Sequence, residues 1–209
     1  MNPDQARHLF QALEACHPAP ETELRHEGPF QLLVATLLSA QCTDERVNQV
    51  TPALFRRCPD ARALAGIETG ELEELIRSTG FFHQKARALK ECARALEEGF
   101  AGRVPETTDE LTRLPGVGRK TANLVLGACF GRPGVVVDTH VKRTAGRLGL
   151  TSQRDPEKIE RDLQAWLEPE EWYPASTRLL LHGRRVCLAR APRCPECPLR
   201  EWCDTARGG

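Results

Sequence analysis

The sequence predicts an all-α fold, and three observations lead to that prediction. Apolar residues recur at spacings of three and four along most of the chain, which is the period of a helix with one buried face. Helix start and stop signals separate these segments from one another. The strand-like piece GVVVD at 134–138 is too short to build a sheet by itself. We therefore expect about ten short helices, because each periodic segment is brief.

Local signals indicate where these helices lie. The first half of the chain contains four periodic segments: PFQLLVATLLSA (29–40), TDERVNQVTPALF (43–55), GELEELIRSTGFF (70–82) and HQKARALKECARALEEGF (83–100). Thr107 and Glu110 have the spacing of a capping box in front of LTRL. Asp155 and Pro156 supply an N-cap and a first-turn proline for EKIERDLQAWL.

Size and composition limit the class of protein. The chain has 209 residues, 40% of them apolar, which is enough for one substantial core or two smaller ones. Apolar runs stay below the roughly 18 residues that span a membrane, and the N-terminal segment lacks the apolar region of a signal peptide. Nine cysteines without a secretion signal favour free or metal-bound thiols over disulfides. We therefore expect a soluble cytoplasmic protein.

Charge is balanced overall but sorted along the chain. The formal net charge is zero, yet residues 111–147 carry seven Lys or Arg against one acidic residue, for a net +6. Residues 177–209 carry seven basic and three acidic residues, for a net +4. Two basic segments favour a nucleic-acid partner. Solvated helix faces are the alternative explanation of the same pattern.

Four cysteines near the C-terminus form the most specific motif. Cys187, Cys194, Cys197 and Cys203 follow the spacing C-x6-C-x2-C-x5-C. Four thiolates suit either a tetrahedral zinc ion or an iron–sulfur cluster. The spacing alone separates these two only weakly, and four unrelated buried cysteines are the remaining alternative. The other five, Cys16, Cys42, Cys58, Cys92 and Cys129, are scattered, and we expect them to be small buried apolar residues.

The stretch LPGVG at 114–118 joins two predicted helices. Gly116 and Gly118 let the turn adopt positive φ values and bring backbone N–H groups close to a partner. Together with the positive end of the next helix, those N–H groups form an anion site suited to a phosphate of a nucleic-acid backbone. The alternative is that the glycines only tighten a turn between helices.

Lys120 and Asp138 are the candidate catalytic residues. Lys120 lies in the first turn of the helix after LPGVG, and a deprotonated lysine is a nucleophile that can form a Schiff base, whereas arginine stays protonated. Asp138 is the one acidic residue of the basic segment 111–147. Its default role is a helix N-cap, which is compatible with a carboxylate facing a developing positive charge.

These motifs together resemble the endonuclease III family of DNA repair glycosylases. LPGVGRKTANLVL (114–126) resembles its helix-hairpin-helix motif, VDTHVKR (137–143) follows at the expected distance, and the four C-terminal cysteines match its cluster loop. LLSAQCTDERVN (37–48) is also similar to the family. The resemblance therefore covers nearly the whole chain, from about residue 20 to residue 205.

The resemblance implies an architecture and a cofactor. We expect a helix-hairpin-helix DNA glycosylase fold with two helical domains and a DNA-binding groove between them. Residues 22–133 would form a six-helix domain with the hairpin at about 108–130, and residues 1–21 plus 134–209 would form a domain holding a [4Fe–4S] cluster in loop 187–203. The protein would be a monomer associated with the nucleoid.

The implied activity is base excision followed by strand cleavage. The family removes oxidised pyrimidines from damaged double-stranded DNA after rotating the nucleotide out of the stack. Carried over by position, Lys120 attacks C1′ of the deoxyribose and forms a Schiff base that allows β-elimination. Asp138 would stabilise the positive charge that develops on the sugar.

Further residues are expected to contact DNA. Gln41 matches the family residue that fills the gap left by the flipped nucleotide, and the second such position maps near Gly80-Phe81, where the family usually has aliphatic residues. Phe81 therefore departs from the family pattern at this position, so the resemblance does not determine which damaged bases are preferred. The hairpin residues Gly116, Gly118 and Arg119 would bind phosphate, as would Arg143 and Arg184 from the charge pattern. Ser39 and Asp44 fall near the expected pocket.

Two alternatives have distinguishing features. The adenine-mismatch glycosylase branch shares the hairpin and the cluster spacing but normally lacks the hairpin lysine and carries a glutamate in the helix matching LLVATLLSAQ. Here Lys120 is present and that segment has no acidic residue. A non-catalytic helix-hairpin-helix DNA-binding module stapled by zinc is the second alternative, and metal content would separate it from the enzyme.

Overall fold

The computed structural model describes residues 1–207, and its regular structure is helical throughout that range. The all-α prediction is confirmed, with twelve α-helices in the described residues where about ten were expected from the periodic segments. They are α1 (Pro3–Cys16), α2 (Pro29–Leu38), α3 (Asp44–Arg57), α4 (Ala61–Gly66), α5 (Thr69–Ile76), α6 (Phe82–Phe100), α7 (Thr108–Leu111), α8 (Arg119–Phe130), α9 (Thr139–Leu148), α10 (Pro156–Gln164), α11 (Pro169–Arg185) and α12 (Asp204–Arg207). Short 3-10 helices lie at Arg77–Thr79, Cys194–Glu196 and Arg200–Trp202.

The predicted caps form as the sequence indicated. Asp155 accepts hydrogen bonds from the backbone N–H groups of Glu157 and Lys158, both at 3.1 Å. Thr107 Oγ1 accepts from the N–H of Glu110 at 3.3 Å, and it also donates to the Glu110 carboxylate at 2.7 Å. In a complete capping box, the Glu110 carboxylate accepts a hydrogen bond from the backbone N–H of Thr107. Here it accepts one from the Thr107 hydroxyl.

One periodic segment is interrupted where the sequence predicted continuous helix. Helix α5 ends at Ile76, and Gly80 then adopts φ +70° and ψ 158°. Few residues other than glycine tolerate that region. Phe81 follows with φ +48° and ψ +31°, so the next helix can begin only at Phe82.

The chain divides into two compact units, and residues 22–130 form one of them. The family resemblance implied a boundary at residue 133. Within the unit, α6 packs against α4 and α5, while α2 packs against α3, α6 and α8. Leucines dominate its core, including Leu32, Leu33, Leu54, Leu72 and Leu96. This packing fixes the start of α8 and the turn in front of it.

Of the residues that the structure describes, 1–21 and 131–207 form the other unit. Helix α11 packs against α1, α9 and α10. A Cβ at Gly183 would lie 2.7 Å from Thr144 Oγ1 and 3.0 Å from His140 Cβ, so a glycine is needed where α11 meets α9. Within the described residues, no helix is both long enough and apolar enough to cross a membrane.

The nine cysteines are free thiols. Among the five scattered ones, Cys58 and Cys92 are buried as predicted. Cys16, Cys42 and Cys129 are only half-buried, so the prediction of buried residues holds for two of the five. Burial raises the pKa of the Cys92 thiol to about 12, which keeps it protonated and inert.

Candidate active site

The turn at 114–118 is built from two buried anchors and a glycine. Leu114 and Val117 are buried, and the N–H of Val117 donates to the carbonyl of Leu114 at 3.1 Å. Gly116 lies between them with φ +79°, as a Pro-Gly type II turn requires. A Cβ at Gly116 would contact Leu37 Cδ2 at 3.4 Å. The turn is therefore held against α2 in one conformation.

The outer side of this turn is open to a ligand. Gly116, Gly118, Arg119 and Lys120 are all exposed, and a Cβ at Gly118 would meet no atom within 4 Å. Helix α8 begins at Arg119, so its N-terminal N–H groups and positive dipole end point toward the same surface. Lys120 is the second residue of α8, and its amine is accessible to a substrate bound there.

Asp138 caps helix α9, as the sequence predicted. Its Oδ1 accepts a hydrogen bond from the N–H of Val141 at 2.8 Å, and its carbonyl accepts from Lys142 N–H at 2.9 Å. The carboxylate is half-buried. The N–H of Val141 holds the carboxylate in a fixed orientation.

Two exposed residues with positive φ lie at the expected gap-filling positions. Gln41 has φ +52° and Phe81 has φ +48°. Such values are uncommon outside glycine and cost energy that the surrounding structure must offset. Phe81 is 59% exposed, which leaves a large apolar side chain in water. Strained, exposed side chains of this kind are typical of contact sites.

Ser39 and Asp44 flank Gln41. Ser39 ends α2, and its hydroxyl donates to the Thr36 carbonyl at 2.8 Å. Asp44 is the first residue of α3 and is half-buried. Both lie in unit 22–130, together with Gln41, Phe81, the turn and Lys120, whereas Asp138, Arg143, Arg184 and the four C-terminal cysteines lie in the other unit.

The four C-terminal thiols line one cavity of about 100 Å³. Three arginines, Arg147, Arg193 and Arg200, line it as well. Apolar side chains complete the wall, including Leu148, Val186 and Pro192. Among residues 1–207, no three His, Cys, Asp or Glu side chains converge as ligands of a single ion. Four soft donors around a shared cavity fit a polynuclear metal group.

His182 also lines this cavity, and no sequence motif had singled it out. Its Nε2 lies 3.5 Å from the Sγ of Cys197, and its Nδ1 lies 3.4 Å from Nε2 of His17. Burial and the neighbouring His17 lower the pKa of His182 to about 4. From α11, this side chain contacts the loop at 187–203 that carries the four thiols, here named the thiol loop.

Two arginines of α9 hold the thiol loop by its backbone. Arg143 donates from Nε to the Cys187 carbonyl at 3.1 Å and from Nη2 to the Gly183 carbonyl at 2.8 Å. Arg147 donates to the carbonyls of Leu188 at 2.7 Å and Ala189 at 3.1 Å. From the sequence, the two arginines were interpreted only through their positive charge. Their spacing of four residues on one helix was the signal that they share a face.

Arg184 has a different setting, half-buried in the last turn of α11. Arg190 and Arg193 of the thiol loop are exposed. The basic segment at 177–209 thus presents charge from a loop that α9 and α11 hold in place.

The hairpin turn, the exposed lysine and the thiol cavity define a class: a helix-hairpin-helix DNA glycosylase. In agreement, residues 34–169 match the HhH-GPD superfamily of base excision DNA repair proteins. Endonuclease III of Synechocystis sp. is 52% identical over 204 residues, covering 97% of this chain and 93% of that protein. Endonuclease III of Bacillus subtilis is 42% identical, covering 89% of this chain and 85% of that protein.

A solved structure shows the same fold. The trapped Endonuclease III–DNA covalent intermediate superimposes with a TM-score of 0.95 at 39% identity, covering 100% of this chain and 98% of that one. The chain belongs to the endonuclease III family. It is accordingly a DNA glycosylase and abasic-site lyase of base-excision repair.

Proposed function

We propose that this protein, acting as a monomer, excises oxidised pyrimidines from damaged double-stranded DNA and then cleaves the abasic site by β-elimination. The observation that carries the proposal is the exposed amine of Lys120, one residue into a helix whose N-terminus follows an open glycine turn. An adjacent phosphate site would hold the damaged strand while the amine reaches its sugar.

The turn binds the DNA backbone. N–H groups at Gly116 and Gly118 and the N-terminus of α8 receive a phosphate, and Arg119 adds a positive side chain at the same surface. Such contacts carry no base information, so they position the strand for any lesion. Arg143 and Arg184 remain candidates for further phosphate contacts, although Arg143 already binds two carbonyls of its own unit.

Lys120 is the nucleophile. The deprotonated Nζ attacks C1′, the N-glycosidic bond breaks, and the base leaves with the bonding electrons and takes up a proton. The sugar ring then opens with protonation of O4′, which leaves a Schiff base between C1′ and Nζ. Loss of a C2′ proton forms the C2′=C3′ double bond and expels the 3′ phosphate. Water finally hydrolyses the Schiff base and frees the enzyme.

Asp138 stabilises the charge that develops on the sugar. Its carboxylate is half-buried and held by the Val141 N–H at 2.8 Å. A carboxylate with a fixed orientation stabilises an oxocarbenium-like sugar without reorganising during the reaction. The same group is able to accept a proton in the elimination step.

Gln41 and Phe81 fill the space that the flipped nucleotide leaves. Both are exposed and both have positive φ, so each side chain extends from a turn and not from a helix face. An aromatic ring at position 81 would stack on a base of the opposite strand. Ser39 and Asp44 would lie at the rim of the base pocket.

The thiol loop holds a [4Fe–4S] cluster in this proposal. Cys187, Cys194, Cys197 and Cys203 would be its ligands, and their shared cavity of about 100 Å³ fits a group larger than one ion. Bound there, the cluster would crosslink the four cysteines, and the exposed Arg190 and Arg193 of the same loop would add positive charge for DNA binding. A brown protein with broad visible absorbance supports the cluster, whereas a colourless protein with stoichiometric zinc supports a zinc site.

Borohydride trapping tests the nucleophile. We expect wild-type protein to be captured covalently on a duplex with one abasic site, and Lys120→Ala to be captured at background level. Lys158→Ala is the matched control, because Lys158 is also an exposed lysine in the first turn of a helix. Equal capture of wild type and Lys120→Ala would show that the lysine assignment is wrong.

A panel of duplexes tests the substrate class. Oxidised pyrimidines should be excised and adenine in a mismatch should not. Excision of adenine with no action on pyrimidines would favour the adenine-mismatch branch. Binding without any excision would favour a DNA-binding module.

A further inference from the structure

A lysine is buried beneath the exposed Phe81. Lys85 lies one turn into α6 and is only 8% exposed, next to the core residues Ala86 and Leu89. Lysine is rarely buried unless its ammonium group has a specific partner. Burial lowers the pKa of Lys85, which the nearby Cys42 thiol partly offsets. Retaining such a costly group calls for an explanation.

Lys85 binds the chain on both sides of the Gly80-Phe81 turn. Its Nζ donates to the carbonyl of Thr79 at 2.8 Å, just before the turn. Its backbone N–H donates to the carbonyl of Phe81 at 3.0 Å, just after the turn. Thr79 is itself 3% exposed, so this carbonyl has little access to water. Lys85 therefore bonds to both ends of the turn. The backbone bond is the first i→i−4 bond of α6, so only the side-chain bond to Thr79 is specific to lysine.

The Gly80-Phe81 turn is conformationally strained. Gly80 has φ +70° and ψ 158°, and Phe81 has φ +48° and ψ +31°. A non-glycine residue in the left-handed region costs energy, and exposed Phe81 gains little from burial to offset it. The bond from Lys85 Nζ to the Thr79 carbonyl, directly before Gly80, is a contact that can offset this strain.

The same ammonium group is coupled electrostatically to the other exposed turn. Cys42 is near enough to affect the pKa of Lys85, and it directly follows Gln41, whose φ is +52°. The N–H of Cys42 donates to the Ser39 carbonyl at 3.1 Å and closes that turn. One buried group thus bonds to the chain next to Phe81 and is coupled electrostatically to the residue that follows Gln41.

We propose that Lys85 is a positioning residue that holds Phe81 in the conformation in which it enters the DNA duplex. This inference rests on the proposed DNA contact of Phe81. Without the Lys85 bond, the turn relaxes toward ordinary φ values and Phe81 no longer points outward. Insertion into a duplex then becomes slower, while the chemistry at Lys120 is unaffected.

The test compares duplex and single-stranded substrates. A single-stranded oligonucleotide with one abasic site has no opposite strand, so its cleavage needs no inserted side chain. We expect Lys85→Met to lower the single-turnover cleavage rate on the abasic duplex about tenfold, the effect of losing one hydrogen bond from a charged donor. The rate on the single strand should stay within about twofold of wild type.

Lys90→Met is the matched control. Lys90 lies on the same helix, and its Nζ donates to the Ile67 carbonyl and to Thr69 Oγ1 at 3.2 Å, away from the Phe81 turn. This variant loses the same kind of bond and should cleave both substrates at the wild-type rate. An equal duplex defect in Lys90→Met, or a Lys85→Met defect on both substrates, would overturn the positioning role in favour of a general structural one.

A second variant perturbs the turn without touching Lys85. A Cβ at Gly80 would meet no atom within 4 Å, so Gly80→Ala acts only through backbone strain. We expect it to give the same duplex-specific loss. Combining it with Lys85→Met should add little, because both act on one turn. Fully additive losses would contradict a shared mechanism.

Phe81→Ala separates this inference from the proposed DNA contact. If Phe81→Ala cleaves the duplex at the wild-type rate, the proposed contact is wrong and the inference falls with it. If Phe81→Ala is impaired and Lys85→Met is not, only the inference is wrong. The expected result is that Lys85→Met has little further effect once Phe81 is alanine.

Discussion

Arg147 Nη1 lies 3.4 Å from the Sγ of Cys187 and donates a hydrogen bond to it. The backbone carbonyl of Arg147 also accepts a bond from the Cys203 thiol at 3.3 Å, so one residue contacts the first and last of the four thiols. Asp138 is thus the N-cap of helix α9, and Arg147, in the last turn of the same helix, contacts the thiol loop. The orientation of the proposed catalytic carboxylate and of the loop depends on the same helix.

Replacing Arg147 with methionine should weaken retention of the metal group. Arg147→Met keeps the aliphatic stem but loses the bonds to Cys187, Leu188 and Ala189. Hydrogen bonds to ligand sulfurs stabilise thiolates and tune cluster potentials. We expect less iron per protein and faster loss of visible absorbance in a chelator. Arg161→Met is the control, because exposed Arg161 bonds only within its own helix in the structure described, at 3.3 Å to Glu157; equal loss in both variants would contradict the prediction.

Asp138 has two roles that different substitutions should separate. Asparagine still caps a helix, so Asp138→Asn should keep the melting temperature while lowering single-turnover excision about a hundredfold through loss of the negative charge. Asp138→Ala should lose the cap as well, at a cost of about 1 kcal/mol, and melt a few degrees lower. DNA affinity should change little in Asp138→Asn. A fully active Asp138→Asn would leave only the capping role.

Substitutions of the two glycines in the hairpin turn, Gly116 and Gly118, should have different effects. Gly116→Ala places a side chain at φ +79° with Cβ 3.4 Å from Leu37 Cδ2, so we expect about 1–2 kcal/mol of destabilisation. Gly118→Ala meets no atom within 4 Å, so its stability should be nearly unchanged. DNA affinity should nevertheless fall, because the new methyl group occupies the surface that a phosphate approaches. Thermal melting and DNA titration of both variants check this contrast, and unchanged affinity in Gly118→Ala would contradict the phosphate site.

Local sequence signals predicted local structure well, and tertiary contacts account for what they missed. The caps at Thr107, Asp138 and Asp155 depend on residues within one turn of the chain, so the sequence contained the whole signal. The break at Gly80 and Phe81 accompanies the burial of Lys85, which is 8% exposed and whose Nζ donates to the Thr79 carbonyl. Burial of this kind depends on tertiary packing, which periodicity does not reveal. Periodicity alone therefore predicted continuous helix there.

The arginines of α9 show the same limit of prediction from local sequence patterns. Charge patterning assigned Arg143 to phosphate binding, but its guanidinium bonds to carbonyls of Gly183 and Cys187, forty and more residues away in sequence. Nothing in the local pattern distinguishes a cation that binds DNA from one that binds a loop. Its DNA contact stays a prediction, and substitution of Arg143 would alter the loop as well.

Arg119 offers a test of the phosphate site at the hairpin turn itself. It is exposed at the first residue of α8, beside the open glycine turn. Removing one cationic side chain that binds a phosphate should reduce the slope of log K against log salt by about one. We therefore expect Arg119→Ala to bind an abasic-site duplex more weakly at low salt and with a shallower salt dependence. Arg94→Ala removes an exposed arginine of α6 in the same unit and should leave the slope unchanged. If the two variants have the same slope as wild type, Arg119 does not bind a phosphate; if both slopes fall equally, the effect reflects net charge and not a site at the hairpin.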